Sequence, residues 1–388
     1  MSSDKGLADA SVGILTPRYP PTMHGGGEVS VRLLAEHLAD SDRVGPVTVY
    51  SFDGRGREVR SGVEIKRLGY VPTGIHELSN AFGAVRSLRH VDEIAAHDVL
   101  HSYNVELNPL AGYLSKAHGV PTVATLNSYD VLPKSAIGVS PKPSRRAYER
   151  IAMPTTGRLV RRCMKEIDVF VTLSEASKEV YVRNGFDDHP YEVVPNMRDP
   201  DFEPQARDEP PGSGRSVTLL YVGSLIKEKG VDTLVRSLRH LDEEYRLDIV
   251  GSGPEASALR TLAADIGVED RIDFRGRVPY EEVVTSYASS DVFVHPGRWP
   301  EPFGRTILEA MESGLPVVVT DIGGPTEIIT DDELKCSVDD SREMADAIRY
   351  ARDDAASIGS QNKNRVRDEF SPARVTDRML TVYERLLD

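Results

Sequence analysis

Short apolar runs alternate with amphipathic segments along nearly the whole chain, and this alternation restricts the fold more than any single motif. The apolar run Val12–Leu15 predicts a buried strand, and the segment that follows has apolar residues at the helical spacing of Val29, Leu33 and Leu38. Strands separated by helices are typical of βαβ units, whose strands pair in parallel. The sequence therefore predicts an α/β protein built on parallel sheets.

The alternation occurs in two series, which indicates two domains. The first series of predicted strands is Val12–Leu15, Val47–Tyr50, Val99–Leu100, Thr122–Thr125 and Val169–Leu173. The second series is Val217–Val222, Leu247–Val250, Ile272–Phe274, Val292–Val294 and Val317–Val319. Between the series, five prolines lie between positions 195 and 211 among acids and glycines, a composition typical of a linker.

We therefore predict two doubly wound, Rossmann-like domains over residues 1–198 and 216–370, joined by a linker over 199–215. A chain of 388 residues is long enough for both. Open α/β sheets bind ligands at the carboxyl ends of their strands, so we expect a small-molecule site in a deep cleft between the two domains. A last amphipathic helix is predicted within residues 371–388.

Composition excludes several classes of protein. Lysine and arginine number 47 against 61 acidic residues, and a net charge of −14 argues against general nucleic-acid binding. No run of 18 apolar residues occurs, and the first ten residues lack the apolar segment of a signal peptide. Two cysteines do not form a disulfide framework. We expect a cytoplasmic protein.

The stretch from Trp299 to Glu309 is the most informative part of the sequence. Its prolines keep the first part extended, and a helix is predicted from about Gly304 to Ser313. The start of a helix binds anions, and Glu301 and Glu309 lie on either side of it. Two carboxylates beside a phosphate site would suit the sugar and ribose hydroxyls of a nucleotide sugar. Judged by spacing alone, a loop glutamate and an exposed helical glutamate remain the alternative.

Two further segments follow predicted strands. Lys229 lies in a strand–turn–helix segment and would supply a point charge for a diphosphate, although an exposed lysine is also ordinary there. Gly25–Gly27 follow the first strand, and glycines let backbone N–H groups approach a ligand closely. His101 follows Val99–Leu100, a position that suits either an active-site group or a structural histidine.

The stretch from His295 to Glu327 resembles the donor-site signature of family 4 of the retaining glycosyltransferases, which have the two-domain GT-B fold. The core of that signature is a glutamate followed, after seven residues, by a second glutamate. The resemblance implies that Glu301 lies beside the transferred sugar and that Glu309 binds the ribose. It also implies that the backbone of Phe303 and Gly304 approaches the sugar or the phosphates.

The resemblance implies roles for other residues in the two domains. The backbone amides of Arg305 and Thr306 would lie near the diphosphate, and Lys229 would bind it. Gly26 and Gly27 would face the donor phosphates and the acceptor. The last helix would cross back to the first domain.

The sequence departs from the family pattern at two positions. Ser224 stands where the family usually has an arginine on the diphosphate, so that Arg298 or Arg305 would have to replace it. Asn127 stands where members often have a histidine at the reacting sugar, and an asparagine there would hydrogen-bond a sugar hydroxyl. The family often has a histidine at the position of His101. Glu301, His101 and Asn127 are therefore the candidates for groups at the reacting sugar.

The implied activity is transfer of a hexose-type sugar from a nucleoside-diphosphate sugar to a glycan or lipid-linked acceptor. The resemblance implies retention at the sugar, with no cofactor and no obligatory metal ion. A non-catalytic protein that binds nucleotide sugars is one alternative, favoured by Ser224 and Asn127. A GT-B epimerase or phosphorylase is a second, and a plain structural protein is a third.

Motifs of other enzyme classes are missing or misplaced. Gly251-Ser-Gly253-Pro254 lacks the third glycine of a dinucleotide fingerprint, and no P-loop occurs. The only Asp-x-Asp pair, Asp199-Pro-Asp201, falls in the predicted linker rather than after a core strand, where a metal-dependent GT-A enzyme would need it. No cluster of histidine and cysteine predicts zinc.

A basic segment stands out in this acidic chain. Residues 142–165 contain eight basic residues and one acid, with apolar residues between them. Such a segment is typical of contact with anionic lipid or a lipid-phosphate acceptor at the inner membrane face. A solvated helix whose arginines pair with the acidic remainder is the alternative.

Overall fold

The computed structural model describes residues 7–22, 25–71, 76–87, 89–141, 143–205 and 216–388. The chain divides into two compact units, and each is described by itself. The first unit is Met1–Met197 with Pro372–Asp388, and the second is Arg198–Ser371. Most of the predicted linker, residues 206–215, lies outside the described residues.

The first unit is an open α/β sheet with helices packed on it. Its strands are β1 Val12–Thr16, β2 Val47–Ser51, β3 Asp53–Arg60, β4 Val63–Tyr70, β5 Val99–Ser102, β6 Thr122–Leu126, β7 Val169–Thr172 and β8 Tyr191–Val193. Its helices are α1 Gly26–Ala39, α2 His76–Ser87, α3 Val91–Ala95, α4 Asn108–His118, α5 Pro143–Ile151, α6 Met153–Met164 and α7 Glu175–Arg183. The last helix of the chain, Pro372–Leu387, belongs to this unit as well.

The order of the strands reverses at β1. Among the described residues the sheet runs β3-β4-β2-β1-β5-β6-β7-β8, and only the β3–β4 pair is antiparallel. The connection after β1 leads to β2 on one side of β1, whereas the connection after β5 leads to β6 in the opposite direction along the sheet. That reversal is where open α/β sheets form their ligand crevice.

The second unit has the same architecture. Its strands are β9 Val217–Val222, β10 Tyr245–Val250, β11 Ile272–Gly276, β12 Val292–His295, β13 Val317–Thr320 and β14 Lys335–Cys336. Its helices are α8 Val231–Ser237, α9 Ala256–Asp265, α10 Tyr280–Ala288, α11 Arg305–Glu312, α12 Pro325–Ile328, α13 Ser341–Asp353 and α14 Ala355–Glu369, so that the last helix of the chain is α15. The described strands pair in parallel in the order β11-β10-β9-β12-β13-β14, which confirms the predicted α/β class.

Helix α15 packs its apolar stripe into the core of the first unit. Val375, Leu380 and Tyr383 are buried there together with residues of α1 and β1. Outside that core, the guanidinium of Arg43 binds the carboxylates of Asp377 and Glu384. Burial of the apolar side chains supplies most of the attachment, because exposed ion pairs contribute little.

Three elements differ from the sequence prediction. The hairpin β3–β4 was not predicted because β3 is an edge strand whose residues are mostly charged and exposed. Strands β8 and β14 were not predicted because three and two residues carry too short a pattern. All three lie at or beside a sheet edge, where a strand needs fewer apolar residues than in the centre.

Among the described residues, no helix is long and apolar enough to cross a bilayer. The same residues contain no group of three or more histidine, cysteine, aspartate or glutamate side chains placed to hold a metal ion.

Candidate active site

The most informative stretch of sequence forms a loop and the start of a helix in the second unit. The predicted helix is present as α11, Arg305–Glu312, and Gly304 is its N-cap with φ 114°. This φ favours glycine, and a Cβ at Gly304 would lie 2.8 Å from Ile307 Cδ1. No side chain caps the helix, so its first turn, with Arg305 and Thr306, is the kind of position that binds an anion.

Phe303, directly before the N-cap of this helix, anchors the loop in the core. Its ring is 3 % exposed and packs edge-to-face on Phe370 with ring centroids 5.7 Å apart. The side chain therefore belongs to the core, and only the backbone of Phe303 and Gly304 is left for a ligand. The backbone role that the resemblance implies for these two residues stays a prediction.

A pair of glycines that sequence reasoning missed supports the loop. The Gly324 N–H donates to the Glu301 carbonyl at 2.8 Å. A Cβ at Gly323 would lie 2.6 Å from the carbonyl carbon of Pro300, and one at Gly324 would lie 2.3 Å from Pro302 O. The loop packs directly on this glycine pair, and two consecutive glycines soon after a buried strand were the available signal.

Glu301 is held by two donors. Lys229 Nζ donates to Glu301 Oε2 at 2.5 Å, and His295 Nε2 lies 3.0 Å from the same oxygen. Burial alone raises the pKa of Glu301, but the Lys229 ammonium and the His295 ring outweigh it and lower the pKa well below its ordinary value. The carboxylate is therefore ionised at neutral pH. Sequence reasoning missed His295, which ends the strand before the motif.

A close approach of two loops brings Lys229 to Glu301. Lys229 ends a short 3₁₀ turn, and its ammonium lies 6.0 Å from the centre of the Trp299 ring. The next residue, Gly230, has φ 63°, and a Cβ there would lie 1.9 Å from Pro296 O. Only glycine fits between these backbones, so it sets the distance between lysine and carboxylate.

Glu309 lies one turn into α11 and binds a buried tyrosine. The Tyr287 hydroxyl donates to Glu309 Oε2 at 2.9 Å. Burial raises the pKa of Glu309, while Arg305 and the Tyr287 hydrogen bond oppose that rise. Glu301 and Glu309 thus lie on one loop–helix segment of the second unit, and Lys229 reaches Glu301 from a separate loop.

Arg298 and Ser224 do not provide the missing positive charge. Arg298 donates to both carboxylate oxygens of Asp232 at 2.5 and 2.7 Å, and it also binds Asp339. A guanidinium that is paired with two carboxylates holds the loop in place and is not available to a ligand. This corrects the expectation that Arg298 binds the donor. Ser224 is exposed, and its carbonyl accepts a hydrogen bond from Tyr221 at 3.0 Å. Arg305 remains the candidate for the second cation.

The first unit has a polar pocket of about 300 Å³. It is lined by Arg18, Gly25, Gly27, Glu28, Asn104, Val105, Glu106, Asn127, Ser128 and Asp130. Gly26 and Gly27 form the first turn of α1, and Gly27 packs close to Asn104 and Asn127. Asn127 donates to Asn104 Oδ1 at 2.5 Å, so its side chain lies at the pocket wall as a hydrogen-bonding group.

His101 lies elsewhere. It is inside β5 rather than at its end, and none of its surface is exposed. One ring nitrogen is 2.6 Å from the Tyr383 hydroxyl, and the other is 2.8 Å from Thr125 Oγ1. Both nitrogens are satisfied within the core, and His101 joins α15 to the sheet. This position corrects the expectation that His101 faces the substrate.

The buried ring of His101 makes stability depend on pH. Burial lowers the pKa of His101 to about 3, while in the unfolded chain it stays near 6.5. Its stabilising contribution is present above pH 6.5 and is lost as the pH falls towards 3, by up to about 1.4 kcal/mol per pH unit. We expect His101→Gln to flatten the fall in the free energy of unfolding between pH 6.5 and 5, measured by urea denaturation. An unchanged slope would contradict this prediction.

Comparison with known proteins identifies the family. A model described as Glycosyltransferase Family 4 matches residues 24–202, and one described as Glycosyl transferases group 1 matches residues 203–366. The chain belongs to the family 4 glycosyltransferases. This glycosyltransferase is 26 % identical over 334 residues to an uncharacterized glycosyltransferase of Methanocaldococcus jannaschii, covering 82 % of each chain.

Other relatives agree with this assignment. The D-inositol 3-phosphate glycosyltransferase of Acidothermus cellulolyticus is 30 % identical over 275 residues, which is 66 % of this chain and 58 % of that protein. The sucrose-phosphate synthase of Thermosynechococcus elongatus has a TM-score of 0.79 at 20 % identity, covering 97 % of this chain and 99 % of the other. HepE of Anabaena, solved with UDP-glucose, has a TM-score of 0.73 at 18 % identity, covering 97 % and 100 %. These likenesses show the GT-B fold.

Proposed function

We propose that this glycosyltransferase transfers a hexose-type sugar from a nucleoside-diphosphate sugar bound in the second unit. The observation that carries the proposal is the cluster at the start of α11, where Glu301 contacts Lys229 and Glu309 lies one turn along the same helix. Carboxylates accept hydrogen bonds from sugar hydroxyls, and an ammonium and an uncapped helix start favour phosphate. UDP-glucose in HepE, a neighbour in fold, agrees with this ligand class.

In this proposal, Lys229 and the amides of the first turn of α11 stabilise the negative charge that grows on the departing diphosphate. Glu301 accepts hydrogen bonds from the transferred sugar, and Glu309 accepts them from the ribose. The leaving phosphate takes the proton of the acceptor hydroxyl, so that retention needs no side-chain base. Lys229 and the amides of α11 take the place of a metal ion at the diphosphate. Asn127, at the wall of the pocket in the first unit, would hydrogen-bond the acceptor.

A second candidate function is binding of a nucleotide sugar without turnover. Two features favour it: Ser224 stands where the family usually has an arginine on the diphosphate, and Asn127 stands where members often have a histidine at the reacting sugar. Release of free nucleoside diphosphate from the donor, measured over a broad panel of acceptors, separates the two functions. Tight binding with no release in any acceptor would favour the binding protein.

The proposal is tested by thermal unfolding with UDP-, GDP-, ADP- and dTDP-sugars. A ligand that binds only the folded state stabilises it, by about 2.7 kcal/mol at a concentration 100 times its Kd. We expect one nucleotide to raise the melting temperature of the wild type and to lose most of this effect in Glu309→Ala. No shift with any donor at millimolar concentration, at low or high salt, would contradict the proposal.

We also propose that the basic segment contacts an anionic membrane surface near the acceptor. Lys142 lies outside the described residues, and the rest of the segment forms α5 and α6. Arg146, Arg150, Arg158 and Arg162 are exposed, and no ion pair joins them to another described residue. Two large apolar side chains beside them, Ile151 and Leu159, are 76 % and 64 % exposed. Exposed arginines interspersed with exposed apolar residues are typical of interfacial helices.

We expect the double variant Arg158→Glu and Arg162→Glu to bind vesicles containing phosphatidylglycerol at least about 10-fold more weakly. An arginine near an anionic surface contributes roughly 1 kcal/mol, and each reversal also adds repulsion. Co-sedimentation with vesicles measures the effect. The matched control is Arg374→Glu with Arg378→Glu, an exposed pair four residues apart on α15. Equal loss in both double variants, or none in either, would contradict a specific membrane surface.

A further inference from the structure

His295 places a polar ring where an apolar side chain would be expected. It is the last residue of β12, after Val292, Phe293 and Val294, and it is 3 % exposed. Strand β12 lies in the interior of the sheet, paired with β9 and β13. A side chain on such a strand is fixed by packing on both faces. A group that hydrogen-bonds to the His295 ring is therefore held in a fixed position.

The group it holds is the Glu301 carboxylate. His295 Nε2 lies 3.0 Å from Glu301 Oε2, a distance that suits an N–H donor. The other ring nitrogen, Nδ1, is buried and has no hydrogen-bond partner among the described residues. An N–H on Nε2 makes the ring a donor to this carboxylate oxygen.

The two oxygens of Glu301 have different surroundings. Oε2 accepts hydrogen bonds from His295 and Lys229, whereas Oε1 has no hydrogen-bond partner within the described part of the chain. The side chain is 17 % exposed, so a ligand can reach it. A carboxylate fixed through one oxygen presents the other in a defined direction, which is what recognition of a sugar hydroxyl requires.

Lys229 cannot hold Glu301 and serve a diphosphate equally well. Its ammonium is a point charge on a flexible stem, and a diphosphate carries more charge than a carboxylate. When the donor binds, Lys229 is expected to turn at least partly towards it, which removes one of the two donors on Oε2. His295 has no such competing partner and remains on its strand.

We propose that His295 is a positioning residue that keeps Glu301 directed at the donor sugar while Lys229 engages the diphosphate. This inference rests on the proposed donor site. Two tasks are then separate. Lys229 and α11 bind the nucleoside diphosphate, and His295 and Glu301 recognise the sugar of the donor. Loss of His295 should therefore impair recognition of the sugar and spare binding of the nucleoside diphosphate.

The test uses the full chain with His295→Leu and His295→Gln. Leucine fills the space without a donor, whereas glutamine retains an N–H that can reach the carboxylate. Calorimetry measures the affinity for the nucleoside diphosphate alone and for the intact nucleotide sugar, and a coupled assay measures kcat and KM for donor turnover. His189→Leu is the control, because that ring also makes one hydrogen bond, to Ile167 O at 3.0 Å, in the first unit.

We expect His295→Leu to lower kcat about tenfold or more, since it removes a hydrogen bond to a charged group. It should also abolish the preference for nucleotide sugar over nucleoside diphosphate, while affinity for the diphosphate changes less than about threefold. His295→Gln should restore most of both properties, and His189→Leu should change neither.

Three results would overturn the proposal. Equal defects in the leucine and glutamine variants would show a packing role only, and wild-type sugar preference in His295→Leu would show no role. If His295→Leu does not fold, His295→Gln alone tests the proposal. A His295→Gln variant that has the wild-type melting temperature but has lost the sugar preference would contradict it. Failure of the wild type to bind any nucleotide sugar would overturn the proposed function itself, which distinguishes the two failures.

Discussion

Glu301→Gln should lower the rate of sugar transfer by about 10- to 150-fold, while nucleoside diphosphate binds as tightly as before or more tightly. The carboxylate makes charge-assisted hydrogen bonds with Lys229 and His295, and it would accept hydrogen bonds from the sugar in the same way. Such bonds contribute about 1.5–3 kcal/mol each, which corresponds to this range of rates. The neutral amide also releases Lys229, which is then free for the diphosphate.

Steady-state kinetics and calorimetry together check this expectation. The matched control is Glu312→Gln at the end of α11, where a carboxylate 4 % exposed pairs with Arg367 at 3.1 Å. Both variants neutralise an ion-paired carboxylate, so both should lose stability, but only Glu301→Gln should lose turnover without loss of nucleotide affinity. Weaker binding of nucleoside diphosphate in Glu301→Gln would contradict the competition between carboxylate and diphosphate for Lys229.

Gly230→Ala should destabilise the protein by roughly 3 kcal/mol or more and remove most of its affinity for a nucleotide sugar. The residue has φ 63°, which costs a non-glycine residue about 1–2 kcal/mol. The new methyl group would also lie 1.9 Å from Pro296 O, so that one of the two backbones must move. Such overpacking typically costs a further 1–3 kcal/mol, and here the movement separates Lys229 from Glu301.

Gly267→Ala is the control for the backbone effect alone. Gly267 has φ 69°, but a Cβ there would meet nothing within 4 Å. Urea denaturation should therefore show about 1–2 kcal/mol of destabilisation in Gly267→Ala, with donor affinity preserved. If the two variants were equally unstable, or if Gly230→Ala bound the donor normally, the close contact of the two loops would not set the geometry of the site.

Local sequence patterns determined most of the strands and the helix start of the candidate site. The alternation of apolar runs and helices predicted ten of the fourteen strands in the described residues, because a buried parallel strand must be apolar on both faces. The start of α11 was also predictable, since Gly304 and Gly314 punctuate the sequence at either end of one short helix. The placement of Glu301 and Glu309 around it followed from spacing and from the resemblance to the family.

Contacts between distant residues could be found only in the tertiary structure. His101 occupies a strand position that suited catalysis, but Tyr383, 282 residues away, covers it and makes it part of the core. Arg298 has the charge for a diphosphate, but Asp232, 66 residues away, binds it. The partners of a charged side chain depend on which loops pack together, and no local pattern encodes that packing.

The same distinction applies inside the site. The sequence by itself determined where the carboxylates and the helix start lie along the chain, because local backbone preferences and spacing fix them. Only the tertiary structure decided that Lys229 and His295 share one oxygen of Glu301, because Gly230, Gly323 and other close contacts bring separate loops together. Spacing along one segment is a local property, whereas the direction and charge of a functional group depend on its neighbours in space.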